Sequence, residues 1–528
     1  MKSAARPMST YRWLSLAALC VCILIISLDV TIVNVALPTL AEKLKATASQ
    51  LQWFVDAYTL IYAGLLLTTG NLGDRFGRKR ALMIGMLLFG GGSVWAAYAT
   101  SAEILIAARA LSGIGGALIM PSTLSITANL FADKQRESAI GVLTGVGGLG
   151  IVIGPLLGGW LLEHFTWGTV FLINVPVILV ALLVSWWLIP ESKDPDASPL
   201  DPVGALLSIA GLMALLYGII EVPTYGWNNA GVIAAFIAAP ILLLAFIVWE
   251  LRCATPMLDM KLFRNPRFSA ASMALTLTSF AMVGTLFFLT QYLQLVLGYT
   301  PLQAGLCFIP LVAGLIVSAS LSPFVSRKLG TRTTVTLGLA MTAIAIACFA
   351  LLNTSSSYLV IGAVLILLGK GIGLAMVPAT NAIMSTLPLG RAGVGSAVND
   401  TAQEVGNALG VAVLGSVLAA GYHAAIDHQA GISALPATLR AIVHDSIGGA
   451  MAVASQVPDP LRHLITNAAQ NAFIDGLHPT ALIATVVSLG GVFIALIFLP
   501  SRSKEAAQAD LTKAASTSTM EQKEEAAI

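Results

Sequence analysis

Charge is what this chain lacks. Asp, Glu, Lys and Arg make up only 10% of its 528 residues, while 57% are hydrophobic; soluble domains carry about 25% charged residues. A water-soluble reading would require two to four domains at this length, each wrapped in a polar surface that the residues cannot supply. The formal net charge of +2, spread over short loops rather than gathered on a face, gives no nucleic-acid footprint. Cysteine and histidine are scarce as well. Cys20, Cys22, Cys253, Cys307 and Cys348 lie mostly in apolar runs, without disulfide or metal-ligand spacing, and read as small buried hydrophobes. Five of the six histidines fall between residues 421 and 478, irregularly spaced and with no cysteine among them, which argues against a metal site. No P-loop, HExxH or Ser/His/Asp grouping faces the cytoplasm, so neither nucleotide-driven transport nor a membrane enzyme has a motif to rest on.

What the chain has is apolar runs. At about 20 residues per crossing, spans fall near 12–38, 51–72, 80–99, 103–124, 138–162, 170–189, 203–221, 231–250, 268–295, 304–326, 333–352, 358–384, 395–420 and 479–500. The expected fold is therefore an all-α integral membrane protein with fourteen crossings. Lys2, Arg6 and Arg12 precede the first run, but it is too long for a signal peptide and no small-residue cleavage site follows. Between the second and third spans lies GNLGDRFGRKRAL (70–82), a hydrophilic hinge with Asp74, Arg75, Arg78, Lys79 and Arg80. Cations beside a span stay on the cytoplasmic side. With this loop inside, 22 of the 28 Lys and Arg fall on cytoplasmic segments, and both termini are cytoplasmic. Gly70, Gly73 and Gly77 leave little side chain in the hinge, so two helix ends can approach while Asp74 and Arg78 act as latch groups; the plainer reading is a topology signal alone.

The hinge resembles the signature between the second and third helices of the major facilitator superfamily. That resemblance implies two six-helix bundles, and an internal repeat agrees: GIGGALIMPST (113–123) is echoed by GIGLAMVPAT (371–380), and RKLGTR (327–332) sits where a second hinge belongs. The division is then a cytoplasmic N-terminus at 1–11, an N-terminal bundle at 12–189, two inserted helices at 203–250, a C-terminal bundle at 268–500 and a disordered cytoplasmic tail at 501–528. Two inserted helices match the fourteen-helix drug:proton antiporter branch, with its quaternary-ammonium and multidrug exporters. Between residues 421 and 478 an external loop holds amphipathic stretches near 437–454 and 459–475, separated by Pro458 and Pro460, and predicts a helical hairpin.

Ionisable groups inside spans are costly and mark function. Asp29 lies in LDVTIVNVALP (28–38), which resembles the first-helix motif of the antiporter branch, with a helix-end carboxylate as the bland alternative. Asp56 lies in QWFVDAYTLIYAG (52–64), where Trp53 and Tyr58 also suit a membrane interface. Glu404 lies well inside NDTAQEVGNALG (399–410), and Asp400 one turn earlier reads as a helix-start acid. Acids at positions like 29, 56 and 404 resemble the subset that exports lipophilic cations, because a carboxylate in a low-dielectric cavity exchanges a proton for a cation near neutral pH. Arg109, in LIAARALSGIGGA (105–117), resembles the fourth-helix motif; it needs a carboxylate, and Asp29 is the candidate partner. Gly113, Gly116 and Met120 continue the same face. Lys370 departs from the repeat, its first-half counterpart being Ser112 rather than Arg109. Gly150, Gly154, Pro155, Gly158 and Gly159, in GVLTGVGGLGIVIGPLLGGW (141–160), resemble the antiporter motif. TWGTVF (166–171) lacks the arginine that the family usually carries there. The resemblance implies a proton-coupled exporter in a bacterial cytoplasmic membrane, driven by the proton gradient without a cofactor or metal. Its partners would be small hydrophobic or cationic compounds, protons and the bilayer. An exporter of one endogenous metabolite is the alternative, and the oligomeric state stays open.

Overall fold

The computed structural model describes residues 8–131, 133–193, 201–256, 258–386, 392–429 and 432–499. The expected tail at 501–528 and most of the expected N-terminal segment lie outside them. Among the described residues the regular elements are helices: α1 (Met8–Leu44), α2 (Ala48–Phe76), α3 (Arg78–Ala97), α4 (Ala102–Leu130), α5 (Asp133–His164), α6 (Thr169–Leu172), α7 (Asn174–Leu188), α8 (Pro202–Tyr225), α9 (Ala230–Arg252), α10 (Pro266–Gln291), α11 (Pro301–Cys307), α12 (Ile309–Leu329), α13 (Thr331–Phe349), α14 (Tyr358–Ser385), α15 (Ala392–Ile426), α16 (Ala437–Asp445), α17 (Ile447–Ala454) and α18 (Asp459–Phe498). Thirteen helices are long and apolar enough to cross a bilayer, counting α6–α7 and α11–α12 as one each. The fourteenth is α2, bent by 55° between Leu66 and Thr68. Beside the bend the Thr69 hydroxyl donates to Ala117 O on α4 at 2.6 Å and back to Leu65 O at 2.9 Å, the kind of side-chain bond that deforms a helix.

The two halves repeat one packing scheme. In the first, α1 packs on α5, and α4 on α2 and α3; in the second, α10 packs on α15, and α14 on α12 and α13. Small residues let the backbones approach. A Cβ on Gly115 would meet Gly85 O at 2.7 Å, and one on Gly371 would meet Gly338 O at 2.7 Å. The hairpin α8–α9 lies outside both bundles, with α8 against α2 and α15.

The halves meet at the end opposite the α2–α3 hinge. Cross-half hydrogen bonds among the described residues cluster there: Gln294 Nε2 to Val35 O at 2.9 Å, Ser416 Oγ to Gln52 Oε1 at 3.2 Å, and Ala48 N to Asp445 Oδ2 at 3.3 Å. On α5 a Cβ at Gly159 would meet the α11 backbone at Pro301 and Leu302, whereas Gly145 and Gly148, nearer the hinge end, have nothing within 4 Å. The α5 side chains Val142, Leu149 and Ile153 are exposed there. Among the described residues, the contacts between the halves thus gather at this far end.

Two sequence expectations change. The hinge is one residue, not a loop. Helix α2 runs to Phe76 and α3 starts at Arg78, so Gly70 and Gly73 lie inside α2, facing Pro121 and Ser122 of α4. Only Gly77, at φ +120°, ψ 122°, makes the turn, in a region where L side chains are strained. The external hairpin is different too. Its first arm is two helices, α16 and α17, broken at Ser446, whose hydroxyl accepts from Gly449 N. Its second arm is the start of α18, whose 40 residues make about 60 Å of helix, twice a hydrocarbon core. Proline at 458 and 460 stops a helix from entering this stretch, but no break separates it from the last span.

Candidate functional site

Asp29 and Arg109 form an ion pair, each side chain 2% exposed. They sit in mid-helix on α1 and α4, so Asp29 is not an outer-surface carboxylate. Arg109 Nε also donates to Phe54 O at 3.0 Å, and its guanidinium lies 4.4 Å from the Tyr58 ring centroid. The second oxygen of Asp29 accepts from Asn174 Nδ2 at 3.0 Å, and Asn174 is held by Ser93 Oγ at 3.2 Å. The pair is thus saturated inside the first bundle. Asn174 carries no charge and sits in an apolar run, so the sequence offered no signal for it.

The α4 glycines exist for the next layer. A Cβ on Gly113 would meet Tyr58 O at 2.7 Å, and one on Gly116 would meet the Tyr58 hydroxyl at 2.8 Å. Tyr58 and Tyr62 stack there with ring centroids 5.7 Å apart. The tyrosine pair packs on the saturated ion pair through the contact of Tyr58 with the Arg109 guanidinium.

Asp56 is 0% exposed, and neither carboxylate oxygen has a hydrogen-bond partner among the described residues. That burial excludes a carboxylate facing lipid or water. Helical register puts Ser49, Gln52, Trp53, Asp56, Leu60 and Ala63 on one face of α2. Gln52 bonds to Ser416 of α15, Trp53 Nε1 donates to Glu221 Oε1 of α8 at 3.2 Å, and Leu60 packs with Leu216, Ile220, Ala408 and Ala412. Asp56 occupies the middle of this face, in the seam where the halves and the insert converge. Glu404 is half-buried, accepts from Asn407 Nδ2 at 3.2 Å, and lines a cleft with Leu60, Ala63, Leu212 and Leu216. Asp400, also half-buried, accepts from Asn399 at 3.1 Å.

At the hinge, Asp74 Oδ1 accepts from Arg78 Nε at 2.6 Å across the α2–α3 joint. Arg75 lies over the Phe76 ring. Lys79 Nζ donates to Trp186 O at 2.7 Å, Arg78 N to Ser192 O at 3.0 Å and Lys79 N to Glu191 Oε1 at 3.2 Å. The segment after α7 thus ties the hinge down within the first half. On α5 the antiporter glycines split between two faces. Gly150, Gly154 and Gly158 pack on Ser27, Thr31 and Ile32 of α1, and Thr31 Oγ1 donates to Gly150 O at 3.2 Å. Pro155 and Gly159 instead touch α11 of the second half at Gly305 and Pro301. Lys370 is exposed on α14, away from all of these groups. Among the described residues no His, Cys, Asp and Glu cluster has metal-holding geometry.

A family model described as Major Facilitator Superfamily matches residues 19–411. The chain is 37% identical to the multidrug efflux pump LfrA of Mycolicibacterium smegmatis, over 92% of this chain and 96% of that protein. It is 35% identical to the methyl viologen resistance protein SmvA of Salmonella typhimurium, over 88% and 93%, and 30% identical to the tetracenomycin C resistance and export protein of Streptomyces glaucescens, over 96% and 95%. Its fold is similar to an inward-facing, occupied crystal structure of a bacterial homolog of the human lysosomal transporter Spinster, with a TM-score of 0.65 at 17% identity, covering 94% of this chain and 98% of that one.

Proposed function

The chain belongs to the Major Facilitator Superfamily, and from that premise we propose that it is a multidrug efflux transporter exchanging protons for hydrophobic, cationic compounds by alternating access. The observation that carries the reading is Asp56. A carboxylate buried without a partner is unfavourable, so the site is satisfied only with a proton or a cation on it, which is the exchange an antiporter performs. Glu404, half-buried one turn along the same seam, supplies a second such group within reach of a ligand entering from the hinge end. The names of the relatives, a multidrug efflux pump and a resistance protein for a dicationic compound, support a broad cationic range. A dedicated exporter of one compound has relatives named for single compounds in its favour, among them the tetracenomycin C resistance and export protein.

The position of the contacts between the halves supports alternating access. The hinge end, rich in Arg and Lys, is assigned to the cytoplasmic face of a bacterial inner membrane, and the far-end contacts between the halves support an inward-open conformation. Alternation requires the halves to rock so that the hinge end closes while the far-end contacts at Pro155–Gly305 and Gln52–Ser416 part, and the hinge, held as one piece by Asp74–Arg78 and Glu191, moves with the first half. Asp29 and Arg109 hold the α1–α4 contact through that motion. The test is transport by the full chain in proteoliposomes with an imposed pH gradient, against a panel of monocationic, dicationic, neutral and anionic compounds. Uphill movement of cations that collapses with the gradient is the expected result; transport indifferent to the gradient would sink the proton-coupled reading.

A further inference from the structure

The two inserted helices bring a carboxylate into the seam. Glu221 stands one turn before the end of α8 and is 8% exposed. It accepts from Trp53 Nε1 at 3.2 Å, and the Ser49 hydroxyl is a second donor. Both donors lie on the α2 face that carries the unpartnered Asp56. We propose that Glu221 is the entry carboxylate of a proton relay, Glu221 to Asp56 to Glu404, so that the insert forms part of the coupling path rather than a spacer between the bundles. The inference rests on the proton coupling proposed above.

Three observations support the route. First, its outer end opens to water. Immediately above Glu221, Pro223 and Thr224 line a far-end cavity of about 320 Å³ whose other walls carry His423, Asp427, Arg440 and Asp445. Second, its middle is an acid that nothing in the described structure satisfies, with both Asp56 oxygens buried and unpaired. Trp53 is three residues from Asp56 and Leu60 four, so the Glu221 contact and the Glu404 cleft each lie about one helical turn from Asp56 along α2. Third, Glu404 shares a cleft with Leu60 and Ala63 of α2, which brings its carboxylate to the α2 face that carries Asp56. In each step one carboxyl O–H breaks and one forms on the next carboxylate, and the proton arriving at Glu404 leaves toward the open hinge end.

The charged and titratable groups around Glu221 are few. Helix α2 presents Asp56; α15 presents His423 with Glu404 and Asp400 further down; α16 presents Arg440, His444 and Asp445. Helix α9 brings none at this level, its Glu250 and Arg252 lying at the other end of the hairpin. His423 meets Pro223 O through Nδ1 at 3.3 Å and Asp445 O through Nε2 at 3.0 Å, which fixes the roof of the route.

The bland alternative is that Glu221 only anchors α8 to Trp53. Glu221→Gln separates the two, since the amide oxygen still accepts from the indole but no proton can be carried. In proteoliposomes of the full chain, with ethidium as probe, three rates are read: gradient-driven uptake, the accompanying proton flux, and ethidium exchange at equal pH on both sides. The relay predicts that Glu221→Gln loses about a hundredfold in driven uptake and proton flux, the scale of removing a positioned proton-transfer group, while exchange persists. Glu221→Asp, which keeps the proton but shortens the side chain, should recover most of the coupling. Driven uptake by Glu221→Gln at the wild-type rate, an equal loss in all three rates, or a Glu221→Asp defect as large as that of Gln would overturn the proposal. A wild-type protein that ignores the gradient would instead sink the proton-coupled reading itself.

Discussion

Replacing Asp29 with Asn tests whether the buried ion pair is a scaffold or the coupling site. The change leaves Arg109, which cannot shed its charge, 2% exposed with only Phe54 O and the Tyr58 ring for company. Breaking one side of a buried pair costs about 3–5 kcal/mol because the other charge stays uncompensated. Nothing in the described surroundings softens that cost, since Asn174 is a donor at this site and adds to the mismatch. Asp29→Asn should therefore lower the thermal unfolding temperature in detergent markedly and lower export as well. The decisive comparison is the double variant Asp29→Asn with Arg109→Met, where both charges are gone; neutralising a whole pair is often close to neutral, so stability should return. If export stays lost in that stable double variant, Asp29 or Arg109 takes part in coupling. If export returns with stability, the pair is a scaffold. An Asp29→Asn protein within about 1 kcal/mol of wild type would refute the reasoning, because a tight pair cannot lose its anion at so small a cost.

Other outcomes follow from the same geometry. Asp56→Asn and Glu404→Gln should each weaken dicationic dyes more than monocationic ones, by roughly 2 kcal/mol per unit charge at ~8 Å and an effective dielectric of ~20; a uniform loss across a dye panel, normalised to protein amount, counts against cation recognition. Gly77→Ala places a Cβ 2.6 Å from Glu191 Oε1 at φ +120° and should cost roughly 1–3 kcal/mol in unfolding experiments, with slower turnover. Asp74→Ala or Arg78→Ala should reduce turnover more than equilibrium dye binding, since the pair lies remote from the acids; unchanged turnover in both variants would leave the hinge a topology signal. At the far end, burial raises the Asp445 carboxyl above its ordinary range, against the pull of Ala48 N and the nearby histidines. A raised carboxyl stabilises the docked state at low pH and loses that contribution as pH rises through it, so protection of α16 from proteolysis should fall on alkalinisation in wild type and not in Asp445→Asn.

What was legible in the sequence was whatever sums over neighbouring residues. The span count held, because hydropathy is additive along about 20 residues and fourteen runs exceed what a soluble chain tolerates. The Arg109–Asp29 partnership was legible for another reason, since a permanent charge inside an apolar run requires an anion and few were on offer. The hinge was read too long, because glycines inside a helix that packs closely on α4 look on paper like glycines in a turn. The arms of the external hairpin were legible, but the continuity of the second arm with the last span was not, because a polar stretch can be the free end of a long helix.

By itself, then, the sequence determined a fourteen-span membrane protein in two related halves, with an insert between them and acids at residues 29, 56 and 404. Only the tertiary structure decided how those acids differ. Asp29 is saturated by Arg109 and Asn174, groups 80 and 145 residues away along the chain, while Asp56 has no hydrogen-bond partner among the described residues and Glu221, the last residue of the seventh apolar run, lies inside the seam. Partnership depends on the rotation of each helix about its axis and on which neighbour it packs against. Both are set by small-residue contacts between elements remote in sequence, so composition and spacing carry no record of them.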